Sequence, residues 1–206
     1  MTETPSANQQ ASQSTNGHGE VPIEPGPVAV LVGPPGSGKS TIGAEVARRL
    51  KVELLDTDAA IEASQGRSIS DIFVDDGEET FRALERVEVL RALRRHTGVL
   101  ALGGGAVMTS DVADALVAVR GQVAVFFLDV GIADAASRVG FDASRPLLVV
   151  NPRASWNRLM KARRPTYERV CSVHVQTAGR SVDDIATQIL RAIEGEPDSD
   201  TEDTPS

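Results

Sequence analysis

Cysteine is almost missing from this 206-residue chain: Cys171 stands alone. One thiol closes no internal disulfide, which excludes a disulfide-stapled scaffold and fits a reducing cytoplasm. Cys171 lies in an apolar, strand-like stretch, where a buried small hydrophobe is the ordinary reading and a nucleophile the exceptional one. Aromatic residues are scarce at 3%, so there is little on which the bases of a nucleic acid could stack. No apolar run approaches the roughly 20 residues that span a bilayer, and a soluble chain is expected. His18, His96 and His174 show no metal-ligand spacing.

Basic residues are absent from both ends. Residues 1–26 are rich in Gln, Ser, Asn, Thr, Gly and Pro and lack the basic start and apolar stretch of a signal peptide. They are expected to form a disordered tail, as are the acidic residues 196–206. Three acidic residues before Pro27 and five after Gly195 account for the net charge of −8. Residues 27–195, expected to fold as one domain, are therefore neutral. Within them Arg138–Arg169 carries eight Lys or Arg against Asp142 and Glu168. That stretch is either a solvated basic face or one side of a polyanion site.

The strongest signal is Gly33-Pro34-Pro35-Gly36-Ser37-Gly38-Lys39-Ser40. An apolar run, Val28–Val32, leads in. A stretch with Ile42, Val46 and Leu50 at four-residue spacing leads out from Thr41. Strand, glycine loop and helix are the context that makes G-x-x-x-x-G-K-[ST] a phosphate-binding loop. Gly36, Ser37 and Gly38 let backbone N–H groups close on an anion, and the helix from Ser40 and Thr41 adds the positive end of its dipole. Lys39 suits the β- and γ-phosphates and Ser40 a Mg²⁺ ion. The chain is expected to bind a nucleoside triphosphate.

Downstream, Glu53–Leu55 reads as a short strand ending at Asp56-Thr57-Asp58. The two carboxylates face one way if the strand persists, suiting Mg²⁺ water and a substrate hydroxyl; alternatively Asp58 caps a helix. Ser70 reads as the cap of a short helix. A longer helix, Glu78 to about Arg95, turns Phe81, Leu84, Val87, Val89 or Leu90 and Leu93 inward. On it Arg82 shares a face with Glu78 and Glu85, either as a surface ion pair or with Glu85 holding Arg82 out toward a carboxylate ligand. The apolar strand Val99–Leu102 ends in Gly103-Gly104-Gly105, a flexible loop or a backbone that a ligand approaches closely. Then follow a helix (Ser110–Val119), a strand (Val123–Leu128), a helix (Gly131–Val139) and an aperiodic stretch of lid character, about 140–150, with Arg145 in it. A helix from Pro152 to about Arg163, the Arg163–Tyr167 segment, a strand (Ser172–Gln176) and a helix from Ser181 to about Ile193 complete the chain. Strands alternating with helices predict a parallel sheet covered on both faces.

The ordered set Asp56-Thr57-Asp58, Gly77-Glu78 with Phe81-Arg82 and Glu85, Gly103-Gly104-Gly105, Arg145-Pro146-Leu147-Leu148, and Arg163 with Pro165 and Tyr167 resembles the shikimate kinase family from about Val28 to Ile193. The resemblance implies a P-loop NTPase fold of three α/β/α layers around a five-stranded parallel sheet. It is nucleoside-monophosphate-kinase-like, with a lid and a substrate-binding subdomain. It implies transfer of the ATP γ-phosphate to the 3-hydroxyl of shikimate, with Mg²⁺. The composition adds the expectation of a cytoplasmic protein that binds neither nucleic acid nor membrane, and the lack of an obvious apolar surface helix that of a monomer. The resemblance also implies roles by position. Arg82 and Arg163 clamp the shikimate carboxylate beside Gly103, Gly104 and Gly105. Asp58 meets the ring hydroxyls and the attacking proton, and Asp56 holds Mg²⁺ through water while Ser40 ligates it. Lys39 and Arg145 neutralise the transferring phosphate, and Arg138 and Arg180 lie along the adenine. Arg164, inside the Arg163 motif, competes for the carboxylate. Phe73 and Phe81 are either pocket walls or plain core. A gluconokinase-like small-acid kinase, or a nucleotide-binding module without catalysis, are the alternatives; the retention of Lys39, Asp56, Asp58 and Arg145 argues against the latter.

Overall fold

A computed structural model describes residues 26–139 and 152–195, the side chains of 136–139 and 152 excepted. Five strands, β1 (Ala29–Val32), β2 (Leu54–Asp56), β3 (Val99–Ala101), β4 (Ala124–Asp129) and β5 (Val173–Gln176), form one parallel sheet in the order β2-β3-β1-β4-β5. The first strand is thus the central one, with Leu31 in register between Ala101 of β3 and Phe126 of β4. The strands are short apolar runs because both faces are covered.

Period-two alternation splits the core into two layers. Val30, Val32, Leu100, Val125 and Phe127 face α4 (Gly77–Arg95), α5 (Ser110–Val119) and α7 (Pro152–Val170). Ala29, Leu31, Val99, Phe126 and Leu128 face α1 (Lys39–Leu50) and α8 (Val182–Glu194). A third cluster, Ile61, Ile72 and Phe81, joins α2 (Thr57–Gln65), α3 (Ile69–Asp75) and α4 away from the sheet. Phe81 is core there, and Phe73 packs on it with ring centroids 4.8 Å apart. The remaining helix, α6 (Ile132–Val139), follows β4.

Local readings differ from the expectations at four places. Strand β2 ends at Asp56, which caps α2 by accepting from the N–H groups of Asp58 and Ala59, so Asp56 is the cap and Asp58 already lies in the helix. The cap of α3 is Ser68, in a reciprocal box with Asp71; Ser70 sits inside the first turn. On α4 the inward stripe runs Phe81, Glu85, Val89 at i, i+4 spacing, so Glu85 takes an interior place at 1% exposure while Val87 is 61% exposed. Helix α7 does not stop near Arg163 but continues through Pro165 to Val170. A proline inside a helix costs about 3 kcal/mol, and side chains flanking Pro165 anchor the helix against that cost, as described next.

Candidate active site

The site lies at the carboxyl edge of the sheet, where β1 delivers Gly33. A Cβ on Gly33 would stand 2.6 Å from the Leu128 carbonyl oxygen, so the loop starts hard against β4. Gly36 and Gly38 have φ of 78° and 90°, the left-handed region that suits glycine. Gly38 also caps α1, and it brings no side chain to the first-turn N–H groups. With no acidic residue in that turn either, the positive end of α1 is left for an anion. Lys39 Nζ folds back over the loop, donating to the carbonyls of Gly33 at 2.9 Å and Pro34 at 3.0 Å. Buried Ser37 and exposed Thr41 flank it. Ser40 Oγ donates to Asp56 Oδ2 at 2.5 Å. Two hard oxygens side by side at the phosphate loop fit Mg²⁺, which takes one or two protein oxygens and completes its shell with phosphate and water. Among the described residues no cluster of three or more His, Cys, Asp or Glu could hold a metal by itself.

Next to this lies a second region, built on the three glycines after β3. Thr57 Oγ1 accepts the Gly103 N–H at 2.9 Å, tying the loop to α2. A Cβ on Gly103 would stand 2.3 Å from Asp58 Oδ1 and 2.6 Å from Glu85 Oε1, and one on Gly105 would stand 2.3 Å from Arg82 Nη1. One on Gly104 would stand 3.0 Å from Pro35 Cδ of the phosphate loop. The glycines thus let Asp58, Glu85, Arg82 and Pro35 pack directly onto the loop backbone, a reason the sequence does not reveal. Buried Glu85 accepts from Arg82 Nη1 at 2.6 Å, and Glu78 accepts from the same guanidinium at 3.3 Å. Burial pushes the Glu85 carboxyl above its ordinary range; Arg82 opposes this and the Asp58 carboxylate adds to it. The ion pair is an interior support for Arg82, not a surface ornament.

Helix α7 supplies the other cation. Arg163 Nη1 donates to the Gly104 carbonyl at 2.8 Å, and the Tyr167 hydroxyl donates to the same oxygen at 2.5 Å. Burial pushes the Tyr167 phenol up to about 12, so it stays a donor at any physiological pH. Two guanidiniums, from α4 and α7, and the Asp58 carboxylate thus meet at three consecutive glycines. That combination suits a small polar acid that also carries hydroxyl groups.

Arg164 does not join them. Its fork grips Asp129 at 2.7 and 2.8 Å, at the end of β4, so it is not a competitor for a carboxylate ligand. Asp129 also accepts from Gln176 at 3.0 Å and stands 3.0 Å from His174 Nε2. Burial alone would raise the Asp129 carboxyl, but these partners, Arg164 first, hold it below its ordinary range. Arg180 lies after β5, donating to Gln188 Oε1 at 2.6 Å and to the Gln176 carbonyl at 3.2 Å, which ties it to α8. The lid segment with Arg145, and the Arg138 side chain, lie outside the described residues. Thr57 and Asp129 carry no signal of their own in the sequence; only their positions at strand ends mark them. Cys171 is half-buried, and burial raises its thiol.

The shikimate kinase family model matches residues 35–194. The chain is 48% identical over 167 residues to a shikimate kinase of Thermobifida fusca, covering 81% of this chain and 95% of that one. It is 51% identical over 163 residues to one of Salinispora arenicola, covering 79% and 95%. Among solved structures it is similar to the shikimate kinase of Acinetobacter baumannii in complex with shikimate, at 34% identity and a TM-score of 0.77, covering 84% of this chain and 95% of that one. With a parallel five-stranded sheet around a phosphate loop, and Arg82, Arg163 and Asp58 gathered at three glycines beside it, the chain belongs to the shikimate kinase family.

Proposed function

We propose that the chain phosphorylates the 3-hydroxyl of shikimate with ATP, giving shikimate 3-phosphate and ADP. One observation carries the reading. Arg82 and Arg163 converge on Gly104–Gly105, and Gly104 in turn packs on Pro35 of the phosphate loop. A carboxylate held there puts the rest of a small ring beside the γ-phosphate.

In this reading the backbone N–H groups of Gly36–Thr41 and the α1 dipole cradle the β-phosphate. Lys39 leaves the loop carbonyls it now caps and spans the β- and γ-oxygens. Ser40 and Asp56 are the residues that would hold Mg²⁺, Ser40 directly and Asp56 through water; the ion supplies charge neutralisation on the phosphates. The two arginines fix the substrate carboxylate and set the ring, so the 3-hydroxyl points at the γ-phosphorus. Asp58 accepts from the ring hydroxyls and takes the hydroxyl proton as the new O–P bond forms and the bond to the ADP oxygen breaks. It need not be a strong base, because in a loose transition state the proton leaves late. Arg145 enters with the lid at about 140–150 to meet charge on the transferring group, while Arg138 and Arg180 line the adenine. Positioning and charge carry the reaction, with no covalent intermediate. Residues 27–195 form the catalytic domain between two tails. A cytoplasmic location fits the lone thiol, and a monomer is the proposed state.

The test is Mg²⁺-dependent release of ADP from ATP with shikimate or gluconate offered separately. Turnover with shikimate and none with gluconate is expected. ATP binding without turnover on shikimate would overturn the reading.

A further inference from the structure

Two of the polar anchors of helix α7 flank Pro165, and the strand order gives those two a meaning. Arg163 and Tyr167, at i and i+4, share a face and both reach the Gly104 carbonyl, just beyond β3. Arg164, about 100° further round, grips Asp129 at the end of β4. In the sheet β3 and β4 are the two neighbours of β1, which carries the phosphate loop. The helix therefore bridges the phosphate loop, fastened on either side of it. The loop is also tight against both anchor strands: Pro35 lies on Gly104, and Gly33 on the Leu128 carbonyl next to Asp129.

The Asp129 anchor is built rather than incidental. Its side chain is 6% exposed and both carboxylate oxygens are occupied. His174 and Gln176 hold it from β5, and the Asp129 carbonyl accepts from the N–H and hydroxyl of Thr177. The Arg164 guanidinium lies 5.6 Å from the centroid of the Phe127 ring, which is itself stacked on Tyr167. Arg164 thus touches the same packed unit that carries Tyr167.

We infer that Arg164 and Asp129 are positioning residues that set the rotation of α7 about its axis and so aim Arg163 at the acid pocket, in register with the phosphate loop. The inference rests on the shikimate reading above. Neither residue touches substrate; they act through Arg163. With the fork removed, α7 keeps its core packing through Met160, Tyr167 and Val170 but loses its anchor to β4 beside Arg163, and the Arg163 guanidinium samples a wider range of directions. The loss falls on the acid substrate, because the phosphate loop is held by β1 and α1 independently of α7.

The experiment is steady-state kinetics of wild type, Arg164→Ala and Arg164→Lys, with KM measured separately for shikimate and ATP and thermal unfolding followed alongside. Arg164 is partly exposed; Arg164→Ala leaves buried Asp129 with His174 and Gln176 as partners, Arg164→Lys keeps a cation beside it, and thermal unfolding tells a loss of fold from a loss of aim. Arg164→Ala is expected to raise the KM for shikimate about tenfold, with the KM for ATP changed less than about twofold. Arg164→Lys, which keeps the charge but not the fork, is expected to recover part of that loss. An unchanged KM for shikimate in Arg164→Ala overturns the inference. Equal rises for both substrates also overturn it, since that is what general loosening produces. Absence of shikimate turnover in wild type instead sinks the functional reading, so the two failures are told apart.

Discussion

The two halves of the site are built in opposite ways. The phosphate half is one unbroken stretch, Gly33–Ser40, between a central strand and the helix it starts. The acid half is assembled from α2, α4, the loop after β3 and α7, through contacts such as Thr57 to Gly103, Arg163 to Gly104 and Tyr167 to Gly104, which span 46, 59 and 63 residues of sequence. A local motif carries its geometry with it. A distributed pocket depends on the tertiary fold and on supports such as Glu85, which is buried against Arg82. The two halves meet at Gly104 and Pro35, and damage to either should show in a different kinetic constant.

The largest effect is expected on the phosphate side. Lys39→Met removes the cation proposed to span the phosphates while keeping most of the side-chain length. Turnover should fall by about a thousandfold or more. Shikimate binding, followed by calorimetry in the absence of nucleotide, should stay within about twofold. Loss of shikimate binding as well would mean that the two halves are not separable.

Arg82→Ala is the counterpart on the acid side. It removes the charge-assisted contact proposed for the substrate carboxylate, and about a hundredfold rise in the KM for shikimate is expected. ATP binding should remain nearly intact. It also leaves Glu85 buried without its arginine, which destabilises. Arg82→Lys keeps a cation beside Glu85 and serves as the control. Equal loss of both substrates in each variant would make Arg82 a structural residue.

The same contrast explains what could be read before the fold was known. The loop, the strand and helix alternation, and the parallel sheet were legible because each is a local pattern. Arg82 was half legible from its spacing to Glu78 and Glu85, which left a surface ion pair as an equal reading, and Arg163 only through a resemblance to a family. Nothing local says that Arg163 meets a glycine loop near residue 104 while its neighbour Arg164 turns to Asp129. Gly103, Gly104 and Gly105 were visible, but their cause was not: a close approach by Asp58, Glu85 and Arg82 leaves no trace in composition. Val87 and Glu85 exchanged places for a related reason. An amphipathic pattern assigns the interior to the apolar residue, whereas the ion pair with Arg82 makes a buried glutamate tolerable. Pro165 misled similarly, because a helix end is the ordinary reading of proline, and three tertiary anchors override it.

Tyr167→Phe gives the smallest effect and the finest cut. It deletes one hydroxyl and leaves the Gly104 carbonyl with Arg163 as donor. A rise of about two- to threefold in the KM for shikimate is expected, with the KM for ATP unchanged. A second signature lies in alkaline stability. Burial raises the Tyr167 phenol from 10.0 to about 12 in the folded chain. Between those values the unfolded chain has released its proton and the folded chain keeps it, so the folded state binds more protons and stability falls as pH rises. From pH 9 to pH 11 this group should remove on the order of 1 kcal/mol of unfolding free energy, a loss that Tyr167→Phe does not suffer. Denaturant unfolding of both proteins at the two pH values measures the difference. Equal losses would mean that the buried hydroxyl is not held as a proton donor on the glycine loop.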